Sequence, residues 1–255
     1  MTCLLEARGL CVPAGEKWAC RELDLCVRQG EKWGILGING IGKTTLLHAL
    51  CGLRQAQNGE IRLKGRLLSK MKRRDIARIA GILFQDSEDH FPATVLETTL
   101  IGRHPHISPW QWESIEDERI ARESIKAVGL SGMETRRADT LSGGERRRLA
   151  LATLLTQDPE LYLLDEPTNH LDVRHQIEML ERLSLLAQNP GKALIMILHD
   201  PSLAARFCDR ILLLFEDGHL LGSREDILTE ANLSRLYHCR IASVEGPHGK
   251  IFFPA

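Results

Sequence analysis

The chain has 255 residues and a formal net charge of −1, with 33 Lys and Arg set against 34 Asp and Glu; no basic field of the kind that holds DNA or RNA is present, and no nucleic-acid partner is expected. Hydrophobic residues make up 43% of the chain, enough for a packed core, yet the longest apolar run, Ala193 to Leu198, is far short of the roughly 18 residues that a membrane span needs. The seven cysteines show no Cys-x-x-Cys spacing, and Glu6 and Arg8 interrupt the apolar start, so the expectation is a cytoplasmic protein without a signal peptide and with reduced thiols.

Trp33 to Leu36 reads as a short buried strand that enters a glycine-rich turn. Leu46, Leu47 and Leu50 then share one face of a helix ending at Gly52. From about Ser87 to Asp158 the pattern is helical and charged, with no strand signal. Leu161–Leu164, Leu194–Leu198 and Ile211–Phe215 are continuous apolar runs, as strands of a buried parallel sheet are. Between the first two lies a helical stretch, Val173–Ala187, with Ile177, Leu180 and Leu183 on one face. Asp217-Gly218 predicts a tight hairpin, followed by a short helical tail and a last strand near Ile251–Phe253. Strands alternating with helices predict an α/β fold with a mostly parallel sheet. Residues 1–86 and 159–255 would form its core, and 87–158 a helical subdomain inserted into it, all within one domain.

Gly37-Ile38-Asn39-Gly40-Ile41-Gly42-Lys43-Thr44 fits G-x-x-x-x-G-K-[ST], between the expected strand and helix. The glycines let successive backbone N–H groups curl around a polyphosphate, and the helix beginning at Lys43 aims its positive end at the same anion. Lys43 would reach the β- and γ-phosphates of a bound nucleotide, and the Thr44 hydroxyl would hold Mg²⁺. No G-x-G-x-x-G can be read through this turn, which disfavours a dinucleotide.

Leu161–Leu164 runs straight into Asp165-Glu166. Two acids at the end of a buried strand are unfavourable without partners or a task. Neighbouring strand residues point opposite ways, so the pair can divide the work at the carboxyl end of the sheet, where α/β ligands bind. Asp165 would hold Mg²⁺, and Glu166 would orient and deprotonate an attacking water. Further along, Ser142 and Glu145 form a capping-box pattern ahead of the helical stretch Arg146–Thr156. A plain helix start does not account for Gly143-Gly144 in the first turn, since glycine weakens a helix by about 1 kcal/mol relative to Ala. Bare N–H groups at a helix start form an anion site, so the chain carries two such starts.

With the phosphate loop and the Asp-Glu pair, Leu141-Ser142-Gly143-Gly144-Glu145 resembles the signature of the ABC ATPases, and the resemblance covers nearly the whole chain. It implies a RecA-like P-loop core with an antiparallel β subdomain and a helical subdomain that carries the signature. ATP and Mg²⁺ would be the cofactors, bound along Gly37 to Thr45 with Gln85 and Asp165. The resemblance also implies a dimer, two identical copies in the simplest case, in which Ser142, Gly143, Gly144, Glu145 and Asp172 of one subunit close over the nucleotide held by the other. Gln85 matches the glutamine that touches Mg²⁺ and relays nucleotide state. Asn169-His170-Leu171-Asp172 matches the loop that crosses the dimer, and His199 the γ-phosphate-sensing histidine. Two positions depart from the family pattern. Glu145 replaces the commoner glutamine, and Ala14 stands where an aromatic residue usually stacks on adenine, leaving Trp18 as the candidate for that contact.

Arg73–Ala80, Gly102-Arg103-His104-Pro105-His106 and Leu171–Gln176 are similar to stretches of the importers of siderophore iron, haem and cobalamin. The partners implied are transmembrane permease subunits and, indirectly, a substrate-binding protein, with the chain peripheral on the cytoplasmic face of the membrane. The permease-facing surface is expected between Asp86 and Pro109, with Phe91, Ile107 and Trp110 as anchors. A different class also fits part of the chain: Asp165–Asp172 resembles soluble ABC proteins that act on ribosomes, although those typically carry two cassettes joined by a charged linker. The His104/His106 pair lacks the further ligands of a metal site.

Overall fold

The computed structural model describes residues 3–15, 17–85, 92–108, 110–169 and 171–255. The chain opens with a long antiparallel hairpin, β1 (Cys3–Ala14) and β2 (Lys17–Arg28). Next, β3 (Lys32–Gly37) leads through the phosphate loop into α1 (Lys43–Leu50). β4 (Asn58–Leu63) and β5 (Arg66–Leu67) return to the hairpin and complete a sheet of order β2-β1-β4-β5. α2 (Arg73–Ile79) and β6 (Ala80–Leu83) follow.

Between β6 and β7 (Leu161–Leu164) the regular elements among the described residues are helices, joined by turns and loops, with one isolated bridge between Thr94 and Arg137. This insertion contains α3 (Val95–Leu100), α4 (Ile115–Ala127) and α5 (Gly143–Gln157), and capping boxes at Thr94, Ser114 and Ser142 start the three helices. After β7 come α6 (Val173–Gln188), β8 (Ala193–Ile197), α7 (Pro201–Phe207), β9 (Arg210–Phe215) and β10 (Gly218–Ser223). The central sheet has order β10-β9-β3-β8-β7-β6, parallel except for β10. Its mostly parallel core, the antiparallel sheet beside it and the helical insertion are the architecture expected from the sequence.

Why the strands read as unbroken apolar runs is visible in how their side chains divide. Tyr162 and Leu164, Leu194 and Met196, and Ile211 and Leu213 enter one core, against α5, α6 and α7. Leu161 and Leu163, Ile195 and Ile197, and Leu212 and Leu214 enter a second core, against α1 and the antiparallel sheet. Each strand therefore supplies two interiors with alternate residues, and neither of its faces is left for water.

Two of the stretches that resemble the importers meet in space. Arg74 and Arg78 on α2 donate to the carbonyl of Pro105, at 2.9 and 2.7 Å, and Arg74 also donates to that of Ile107. His106 Nε2 lies 2.8 Å from the Gln157 carbonyl, and Arg103 pairs with Asp117 at 2.7 Å. The first contacts tie the insertion to α2, and the other two hold the insertion together. No metal-binding cluster of three or more His, Cys, Asp or Glu occurs among the described residues.

Two expectations change. The last strand is half of a hairpin, because β12 (Gly249–Pro254) pairs with β11 (Ile241–Gly246), which follows the short helices α8 (Arg224–Ile227) and α9 (Glu230–Tyr237). The thiols are also not all free: Cys3 and Cys26 form a disulfide. Antiparallel pairing of β1 with β2 brings their Cα atoms to 5.8 Å across 23 residues of sequence, a proximity that spacing along the chain does not reveal. Cys11, Cys20, Cys51, Cys208 and Cys239 are free.

Candidate functional site

β3 sits between β8 and β9 in the sheet, so the loop leaving its end opens at the middle of the sheet's carboxyl edge. Gly42 makes the tightest demand there. Its φ is +103°, and a Cβ would come within 2.6 Å of Ala19 Cβ and 3.0 Å of Ala14 Cβ. The loop is thus pressed against the N-terminal hairpin with small residues on both sides. Lys43 is 6% exposed, and its ammonium donates to the carbonyls of Gly37 and Ile38 at 2.8 and 3.1 Å. Burial moves its pKa down, against the opposing pull of the Glu166 and Asp165 charges.

Ala14, Gly15, Asn39, Gly40, Gly42, Lys43, Thr44, Thr45, Arg54, Gln85, Glu166, Asn169 and His199 line one open pocket of about 590 Å³. The structure thereby brings together residues from the loop, the end of β6, the end of β7 and the end of β8. Glu166 follows β7 with φ +48°, a left-handed conformation uncommon outside glycine. Its carboxylate is clamped from two sides. His199 Nε2 lies 2.6 Å from Oε1, and the Asn169 side-chain amide donates to Oε2.

Asp165, one residue earlier, has no exposure. Neither of its carboxylate oxygens has a hydrogen-bond partner meeting normal geometry. Burial raises its pKa, and the neighbouring Thr44 hydroxyl works the other way. A fully buried carboxylate with both oxygens unsatisfied, beside a threonine hydroxyl and a lysine, fits a hard divalent cation with oxygen ligands. Thr44 and Asp165, with the Gln85 amide at the pocket wall, are the residues able to hold it.

Other expected site residues lie apart from this pocket. Trp18 lines a neighbouring cavity with Phe215, Glu216 and His219, and its ring stacks under Arg21 at 4.8 Å. The hairpin register pairs it with Pro13, while Ala14 and Ala19 are the residues that meet Gly42. Ser142, Gly143, Gly144 and Glu145 start α5 on a different surface, where Ser142 and Gly143 are exposed. Asp172 caps α6, accepting from the His175 N–H at 2.9 Å and facing its ring at 2.8 Å. His170 lies outside the described residues. No signal along the chain marks Arg54 as part of this pocket or Asn169 as the partner of Glu166.

Residues 20–169, more than half of the chain, match the family described as ABC transporter. The chain belongs to the ABC transporter ATPases. As an ABC ATPase it binds and hydrolyses ATP. It is similar to the Ferric enterobactin transport ATP-binding protein FepC of Escherichia coli (strain K12), at 33% identity over 245 residues, 95% of this chain and 90% of that protein. It is 34% identical over 243 residues to the Hemin import ATP-binding protein HmuV of Bordetella avium, covering 91% of each. A solved structure of an inward-facing ABC transporter of the metal-chelate type has a chain matching this ABC ATPase with a TM-score of 0.87 at 26% identity, over 99% of this chain and 98% of that one. Among the described residues no helix is long and apolar enough to cross a membrane.

Proposed function

We propose that this ABC ATPase drives import of a metal chelate of the iron-siderophore, haem or cobalamin type through a permease that it contacts from the cytoplasmic face. The Glu166–His199 contact of 2.6 Å, at the pocket that Lys43 and Thr44 share, carries the catalytic part of this reading. The triphosphate lies in the loop N–H groups from Gly40 to Thr45, with Lys43 exchanging its loop carbonyls for phosphate oxygens. Glu166, held by His199 and Asn169, accepts the proton of the attacking water, and His199 stays within reach of the γ-phosphate. When bound, Mg²⁺ would supply neutralisation of the phosphate charge, and Thr44, Asp165 and Gln85 are the residues that would hold it. The exposed helix start at Ser142 to Glu145, with Asp172, closes over the nucleotide of a second copy.

The kinship with FepC and HmuV supports the importer class over the ribosome-acting one. For the permease, the reading favours the groove of about 620 Å³ lined by Arg74, Ala77, Pro105, Ile107 and Trp112. Trp110 beside it is 95% exposed, whereas Asp86 to Phe91 and Pro109, part of the expected permease-facing segment, lie outside the described residues. Glu166→Gln should still bind MgATP and turn over at least about a hundredfold more slowly, the scale of a lost general base. Phosphate release at the wild-type rate would remove Glu166 from that role. Co-purification with ribosomes in place of a membrane permease would overturn the importer class.

A further inference from the structure

Arg147 sits in the second turn of α5, between Arg146 and Arg148. Three consecutive arginines on a helix ordinarily read as a solvated face. Arg147 is instead 5% exposed, and its guanidinium lies where two chain segments meet. On one side it holds the end of β6: Nη1 donates to the carbonyls of Phe84 and Gln85, the latter at 3.1 Å. On the other it holds the end of β7: Nη2 donates to the carbonyls of Asp165 and Glu166, the latter at 2.6 Å, and Nε reaches the Pro167 carbonyl at 3.4 Å.

Each contact falls on the backbone of the catalytic machinery or its immediate neighbour. Glu166 has particular need of one, because its left-handed φ of +48° persists only where the surroundings over-determine it. A guanidinium suits the task because its donors form a rigid planar fork that can span two segments, which a lysine ammonium cannot match.

We propose that Arg147 is the positioning residue for the general base. It holds Glu166 in its left-handed turn, and it ties Glu166 and Gln85 to the helix whose exposed start is Ser142. This rests on the assignment of Glu166 above. Any displacement of α5, such as docking at Ser142 would impose, reaches both segments through a single side chain and is not absorbed by a loop.

A cycle built on Glu166→Gln tests this, with single-turnover hydrolysis of MgATP and its equilibrium binding measured below the unfolding temperature of every variant. Arg147→Gln should lower kcat at least about tenfold and leave the MgATP Kd within about twofold, because what is lost is geometry of the transition state. Arg147→Lys should recover part of the rate, and it serves alone if Arg147→Gln does not fold. In the Glu166→Gln background, Arg147→Gln should remove less than about twofold more, since residues that act through one another are not additive. A full tenfold loss in that background, a parallel loss of Kd and kcat, or a wild-type kcat in Arg147→Gln would each overturn the proposal while leaving Glu166 as the base. Wild-type turnover in Glu166→Gln itself would overturn the base assignment, and this role of Arg147 with it.

Discussion

The helix starts of α1 and α5 look alike in sequence, both glycine-rich and both suited to an anion, yet they are built in opposite ways. α1 begins at Gly42 with φ +103°, with no side chain capping it and no acid in its first turn. Its positive end is unopposed and points into a lined pocket. α5 begins at Ser142, which accepts from the Glu145 N–H at 3.3 Å while the Glu145 carboxylate accepts from the Ser142 N–H at 2.7 Å. Those bonds to Ser142 hold the Glu145 carboxyl below its usual range, so the first turn of α5 already carries a negative charge of its own. A start left open to be completed by a ligand binds that ligand by itself. A start already closed by its own side chains, and exposed, can add contacts only to an anion that something else holds.

The largest effect expected of this contrast is at α1. Lys43→Ala removes the cation facing the triphosphate, and it should weaken MgATP binding by at least about a hundredfold and abolish hydrolysis with it. Isothermal titration of the isolated protein reads the first and phosphate release the second. At α5, Ser142→Arg should abolish turnover but leave MgATP binding to isolated monomers within about twofold, because that start has no ligand of its own. Equal losses of monomer binding in the two variants would erase the difference between the helices. The smallest effect belongs to a third start, at α4, which has a carboxylate cap and no nucleotide task. There burial opposes ionisation of Asp117, but hydrogen bonds from Ser114 and Arg103 prevail and hold its pKa at about 2, against an ordinary 3.8. A depressed folded value means stability that is present above the unfolded pKa and fades as pH falls from about 4 towards 2. Asp117→Asn should therefore lower stability by about 1 kcal/mol near neutral pH, after allowance for screening. In urea melts the gap to wild type should close in that acid window; a gap that persists at pH 2 would mean the cap works by shape and not by charge.

Strand patterns and the ordered series of motifs were legible because each rests on residues close together in the chain. Leu161 to Glu166 declares a buried strand and its acidic end without any partner being known, and Gly37 to Thr44 declares its turn. What stayed hidden depends on distant segments meeting. Arg147 is indistinguishable from Arg146 and Arg148 until α5 is packed over the ends of β6 and β7. The Cys3–Cys26 disulfide follows from the register of β1 on β2, which several bulges shift along its length. Asn169 reads as part of a loop motif, and only the turn after Glu166 folds it back onto that carboxylate. The place of Trp18 was hidden in the same way: the pairing of its strand turns it to a neighbouring cavity.

The division of β7 between two interiors limits how the gene for this chain can change length. Dropping one codon within Leu161–Leu164 would exchange which side chains face α5 and which face α1. The same slip would carry Glu166 into the place of Asp165 and Pro167 into the place of Glu166, so that neither position would keep its carboxylate at the length it has now. Indels in this cassette should therefore be found in stretches such as Asn189 to Gly191, which join one element to the next, while the four residues of β7 admit substitution and never a change of count.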